Sequence, residues 1–199
     1  MTTTVLWMRH GTCDDGLRRS GSHARPDSPL TICGTVEAEV TARYLRQRDR
    51  LLSLVVPSPL RRARQTASIV AGTLGAHLAE PLAAFAEWCA PYCVLGRNAV
   101  EYPPDYQEWR KQRSQEPDSS LPGGESLRAF AERAAEAMTA ARSFANENGH
   151  VLVVSHRMLI GAVSALNRGY QHPAEIFSHA RDFRLAPAQL WSLEQEEHR

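Results

Sequence analysis

Three short apolar runs in this chain end in the same way, and that shared ending constrains the fold more than any other feature of the sequence. Val5 to Met8 runs into Arg9 and His10, Leu54 to Val56 into Ser58 and then Arg62, and Val151 to Val154 into Ser155 and His156. Short apolar runs alternating with amphipathic helical patterns are the signature of an α/β fold. In a parallel sheet all three runs would end at one edge, the carboxyl edge where α/β proteins build their ligand sites. Two histidines and two arginines are thereby expected in one pocket.

The helical patterns between the runs are periodic. A helix is predicted from about Thr31 to Gly34 onward, with Val36, Val40, Tyr44 and the adjacent Leu45 facing inward and Arg43, Arg46 and Arg50 facing water. A second should carry Ala63, Ala67, Val70 and Leu74 on its buried face and stop at Gly75. A short apolar run follows from His77 to Leu82. A long helix from about Glu125 to Asn146 places Leu127, Ala131, Ala134, Met138, Ala141 and Ala145 three and four apart. The helix after His156 should turn Met158, Leu159, Ala162, Val163 and Leu166 inward, and "AQLWSL" should add a last strand before a polar end. Between Ala90 and Gly123 the periodicity fails, five prolines break the chain, and Tyr92, Tyr102, Tyr106 and Trp109 accumulate. This predicts one domain over 1–199 with an insertion or lid at about 88–123.

With 43% hydrophobic residues and a formal net charge of +1, the chain has no general attraction for nucleic acid or an acidic membrane surface. The basic stretch "RYLRQRDR" reads as a solvated helix face. No segment approaches the ~20 apolar residues of a membrane span, and the first residues have a strand pattern, so a cytoplasmic protein is expected. Cys13, Cys33, Cys89 and Cys93 form neither a disulfide framework nor a paired C-x-x-C zinc site, and no His-x-x-x-His pair occurs. Neither metal nor cofactor is expected. A G-x-x-x-x-G-K loop and a G-x-S-x-G elbow are also missing. Lys111 is the only lysine, so an anion site must be built from arginine, whose planar fork suits phosphate.

One histidine at a strand end is more often structural than catalytic, but four such residues at one edge point to a site. Phosphoryl transfer needs an in-line nucleophile and donors around the equatorial oxygens. Arg9, Arg62 and His156 can supply the donors, and His10 can attack if neighbouring cations keep it neutral. Gly11 would let the backbone approach the anion closely.

"MRHG", "SPLRRARQTA" and "VVSHRM" resemble, in order, the signature of the histidine phosphatase superfamily, the phosphoglycerate-mutase-like fold. "LTICGTVEA" and "GGESLRAF" resemble two of its helix starts. The resemblance implies a three-layer α/β/α sandwich with a mostly parallel central sheet. It also implies a phosphatase that hydrolyses a small-molecule phosphomonoester through a phosphohistidine on His10, with Arg9, Arg62 and His156 holding the phosphoryl group. The family's proton donor commonly follows the third strand, where "FAEWC" places Glu87. Asp14 and Asp15 are rival acids, and the His-Asp arrangement of another branch is absent because Arg157 follows His156.

The sequence departs from the family at several points. Arg157 stands where glycine is usual, Glu37 replaces a frequent Gln, and an Asn expected after Arg-His-Gly has no counterpart, with Ser22, Arg18 and Arg19 as possible substitutes. A mutase in this family goes with a longer, Arg-rich insertion, whereas this one is short and aromatic, which favours hydrolysis over mutase activity, and the intact set of His10, Arg9, Arg62 and His156 argues against non-catalytic phospho-ligand binding. The aromatic residues either meet a ring-bearing leaving group or fill a small lid core.

Overall fold

The computed structural model describes residues 4–18, 23–48 and 52–192. Its sheet has five strands: β1 (Val5–Arg9), β2 (Leu52–Pro57), β3 (His77–Leu78), β4 (His150–Ser155) and β5 (Leu190–Ser192). They lie in the order β3-β2-β4-β1-β5. All pairings are parallel except that of β5 with β1, so β1, β2 and β4 do end at one edge.

Strand side chains alternate between two apolar layers, as the period of two requires, except at the irregularity between Leu52 and Leu54 in β2, which puts these two leucines on opposite faces. Val5, Trp7, Leu54, Val56, Val151 and Val153 face one core, and Leu6, Met8, Leu52, Val55, Leu152 and Val154 face the other. The first layer is closed by α5 (Leu127–Asn148), α6 (Arg157–Asn167) and α7 (Pro173–Asp182). The second is closed by α2 (Ile32–Gln47) and α3 (Arg61–Leu74). A short α1 (Asp14–Arg18) follows β1, and α4 (Pro104–Gln112) lies in the segment without periodicity. Pro104 opens α4 at the position where a missing N–H costs nothing. The polar end expected after Ser192, with Arg19, Ser22 and Arg50, lies outside the described residues.

The predicted inner face of α2 is corrected. Val36, Val40 and Tyr44 are 47–55% exposed, while Gly34, Ala38, Ala42 and Leu45 are buried. Small residues win this face because α2 packs closely on α3, where Ala63 and Ala67 are buried. Gly34 also meets the loop after β1. A Cβ on Gly34 would lie 2.1 Å from the Thr12 carbonyl oxygen, and one on Gly11 would lie 2.3 Å from that of Gly34.

Candidate active site

His10 follows β1, and its backbone N–H donates to the Ser155 carbonyl at the end of β4 (3.0 Å). Its ring is buried. Nδ1 lies 2.7 Å from the Gly11 carbonyl, which can only accept, so Nδ1 carries the proton. The Nε2 lone pair is left to face the Arg62 Nε–H at 3.1 Å. Burial, Arg62 and Arg9 hold the His10 pKa well below the usual histidine value, against the opposing Gly11 hydrogen bond. The ring is therefore neutral at physiological pH.

Arg62 stands in the first turn of α3, and its Nη1 donates to the Arg25 carbonyl (2.9 Å). The rest of the "RRARQTA" pattern has equally local reasons. Thr66, one turn beyond Arg62, accepts the Gly11 N–H (3.2 Å), and Gln65 accepts the Leu30 N–H (2.9 Å). Thr31 caps α2 by accepting the Gly34 N–H, and its own N–H and hydroxyl donate to the Thr12 carbonyl. Glu37 accepts both the Thr12 N–H (2.7 Å) and the Thr12 hydroxyl (2.8 Å), so this departure from the family pattern holds the loop after His10. The Gly11 amide is bound to Thr66, and Gly11 packs closely against Gly34.

His156 lies fully buried at the N-cap of α6, its ring centroid 5.0 Å from that of His10. Its Nε2 is 2.7 Å from the Ser58 hydroxyl, which also accepts the Leu60 N–H (3.2 Å). When the Ser58 hydroxyl gives its proton to Nε2, the His156 proton sits on Nδ1. That Nδ1 and the Arg9 Nε are buried without a hydrogen-bond partner, two polar groups left open beside His10. Burial, Arg62, His10, Arg133 and Arg9 hold His156 neutral as well. Arg9 is anchored through Nη1 to the Leu185 carbonyl (2.7 Å).

Glu87 is brought to the same edge. Its Oε1 accepts the Trp88 N–H (3.0 Å), its Oε2 accepts the Met158 N–H in the first turn of α6 (3.3 Å), and its charge acts on Arg9 and Arg62. Asp15 is engaged elsewhere, accepting the Arg25 N–H (2.8 Å) and lying 3.6 Å from the Arg25 guanidinium. The Asp14 N–H donates to the Pro29 carbonyl. Arg157 points away: its Nη1 caps the end of α7 through the Ala180, Arg181 and Phe183 carbonyls (2.7–3.1 Å).

Trp88, Tyr102 and Tyr106 are buried against His23, and Trp109 against Tyr106, so these rings fill a core, whereas Tyr92 is exposed. His23, absent from the sequence reading, is pushed down to about 4 by burial, Arg110, Arg113 and Arg157. Its backbone also pairs with the segment at Leu95–Arg97. No sequence signal marks it, because its partners lie more than sixty residues away.

Among the described residues, no three His, Cys, Asp or Glu side chains cluster as metal ligands, and no helix is long and apolar enough to cross a membrane. Fold and site together define an α/β protein with a cationic, histidine-centred pocket at the carboxyl edge of its sheet. The chain belongs to the histidine phosphatase superfamily, branch 1, whose family model matches residues 5–199. An open reading frame of Mycobacterium tuberculosis is 25% identical, with a TM-score of 0.70 over 96% of this chain and 90% of the other. A mycobacterial glucosyl-3-phosphoglycerate phosphatase is 21% identical (TM-score 0.75, 95% and 90% covered), and the α-ribazole phosphatase of Shigella flexneri is 22% identical (0.74, 94% and 88%). At these last two identities the likeness is one of fold. A comparison with curated proteins gives no match.

Proposed function

We propose that the protein is a metal-independent phosphatase that hydrolyses a small-molecule phosphomonoester through a phosphohistidine on His10. The observation that carries this reading is the neutral His10 ring with its Nε2 lone pair turned into a pocket of cations, beside the unpartnered Arg9 Nε and His156 Nδ1. A tetrahedral anion attacked by Nε2 would receive hydrogen bonds from Arg9, from His156 and from Arg62, whose Nε–H passes from His10 Nε2 to the anion as the lone pair is used. Charge that a metal would otherwise neutralise is met by two guanidinium groups. The phosphatase names of several structural neighbours agree with this reading.

Glu87 is the proposed proton donor to the leaving oxygen and, in the second step, the base that activates water. Its place beside the first turn of α6 and its influence on both arginines support this role over Asp15, whose carboxylate ties down Arg25. The segment at 88–123 is proposed to cover the leaving group. Hydrolysis is preferred to mutase activity because Arg110 and Arg113 of that segment lie over aromatic rings.

The test is Glu87→Gln across a series of phosphomonoesters. Turnover of an alkyl phosphate should fall roughly 10²-fold or more, and formation of the phosphoenzyme from a dinitrophenyl phosphate should change little. Equal rates for parent and variant on both substrates would remove Glu87 from the mechanism.

A further inference from the structure

We propose that Arg133 and Glu125 are positioning residues for the proton donor: together they fix the loop that carries Glu87 and so set where its carboxyl group meets the leaving oxygen. The inference rests on the reading of Glu87 as general acid.

The loop from Ala84 to Cys89 has little regular structure of its own, only the end of a 3₁₀ turn at Ala83–Phe85. Three of its carbonyls nevertheless converge on one guanidinium. Arg133, on α5, donates from Nη1 to Ala84 (3.1 Å) and Ala86 (2.7 Å), and from Nη2 to Glu87 (3.2 Å). The remaining N–H groups form a fork on Glu125, from Nε to Oε1 (2.8 Å) and from Nη2 to Oε2 (2.7 Å). All five guanidinium donors are thus used, an arrangement open to arginine and closed to lysine.

Glu125 binds the same loop through its other atoms. Its Oε2 accepts the Cys89 N–H (3.3 Å), its N–H donates to the Cys89 carbonyl (2.8 Å), and its carbonyl accepts the Trp88 Nε1–H (3.1 Å). Only 19% and 12% of the Arg133 and Glu125 side chains are exposed, so this pair is shielded in a way surface ion pairs are not. From the opposite side, the Ser155 hydroxyl at the end of β4 donates to the Phe85 carbonyl (2.8 Å). The loop is held between the phosphate-facing strand and α5, with Glu87 at its tip beside the first turn of α6. Reacting groups misplaced by about 1 Å can lose ~10²-fold in rate, which gives this scaffold a kinetic consequence.

Arg133→Lys keeps the charge but supplies three donors and no fork. The expected result is a roughly 10–100-fold lower rate for an alkyl phosphate with phosphoenzyme formation from dinitrophenyl phosphate within about twofold of the parent, because that leaving group needs no proton. In a Glu87→Gln background, Arg133→Lys should cause no further loss. Equal slowing for both leaving groups, or losses that multiply in the double variant, would overturn the proposal. If Arg133→Lys lacks a cooperative urea transition, the near-isosteric Glu125→Gln takes its place with the same expectations. An unaffected Glu87→Gln enzyme would instead refute the role of Glu87 itself, whereas an impaired Glu87→Gln beside a normal Arg133→Lys would refute only the positioning role.

Discussion

Replacing Ser58 by alanine tests whether a buried serine decides which nitrogen of His156 donates to substrate. Ser58 and His156 are both fully buried, and the Ser58 hydroxyl meets His156 Nε2 at 2.7 Å while accepting the Leu60 N–H. Ser58→Ala leaves Nε2 and the Leu60 amide unpartnered, at about 1–3 kcal/mol for each buried group, so a stability loss of roughly 2–4 kcal/mol is expected after partial relaxation. The functional loss has a separate origin. Without Ser58 the two neutral tautomers of His156 compete, and the form with its proton on Nε2 has no donor at Nδ1. Loss of one hydrogen bond to a charged group is worth about 1.5–3 kcal/mol, or roughly 10–100-fold in kcat/KM. The assay is kcat/KM on an aryl phosphate at pH 7, with urea denaturation of the same preparation. A variant that is destabilised but retains kcat/KM within about twofold would refute the assignment of Nδ1 as a phosphoryl donor.

Two further outcomes are expected. Gly34→Ala places a Cβ 2.1 Å from the Thr12 carbonyl oxygen, so the His10 loop and α2 must separate, with a stability loss of ~1–3 kcal/mol or more and lower turnover. Gly72→Ala, with nothing within 4 Å of the new atom, is the control and should leave thermal stability equal or higher. At His23 the folded value of about 4 lies below the ordinary 6.5, so as pH falls the unfolded chain takes up a proton that the folded protein refuses. This contribution is complete above pH 6.5 and is lost as pH drops toward 4, amounting to about 3 kcal/mol at ~1.4 kcal/mol per pH unit. His10 and His156 act in the same direction. His23→Phe should flatten the difference between urea midpoints at pH 7 and pH 4.5, and an unchanged difference would contradict the burial argument.

The strands and their polar ends were legible because each is a local pattern: an apolar run followed within a few residues by His10, Arg62 or His156. Helix faces were legible where apolar residues also do the packing, as in α5, whose buried Leu127, Ala131, Ala134, Ala141 and Ala145 follow the expected spacing. In α2 the larger residues lie outside, since close approach to α3 and to Gly11 selects Gly and Ala. The Arg133–Glu125 clamp was not legible, because its target loop is more than thirty-five residues earlier in the chain. Nor was the destination of Arg157, whose partners are carbonyls at the end of a helix that the sequence reading did not identify.

The central claim is that His10 Nε2 attacks phosphorus. The direct measurement is rapid acid-free quenching of the enzyme during turnover of a phosphomonoester labelled in its phosphoryl group, followed by location of the label. The expected product is a base-stable, acid-labile phosphoramidate on His10 that forms at the same rate with chelator present and is missing in His10→Ala. A label on another residue, or full turnover by His10→Ala, would contradict it.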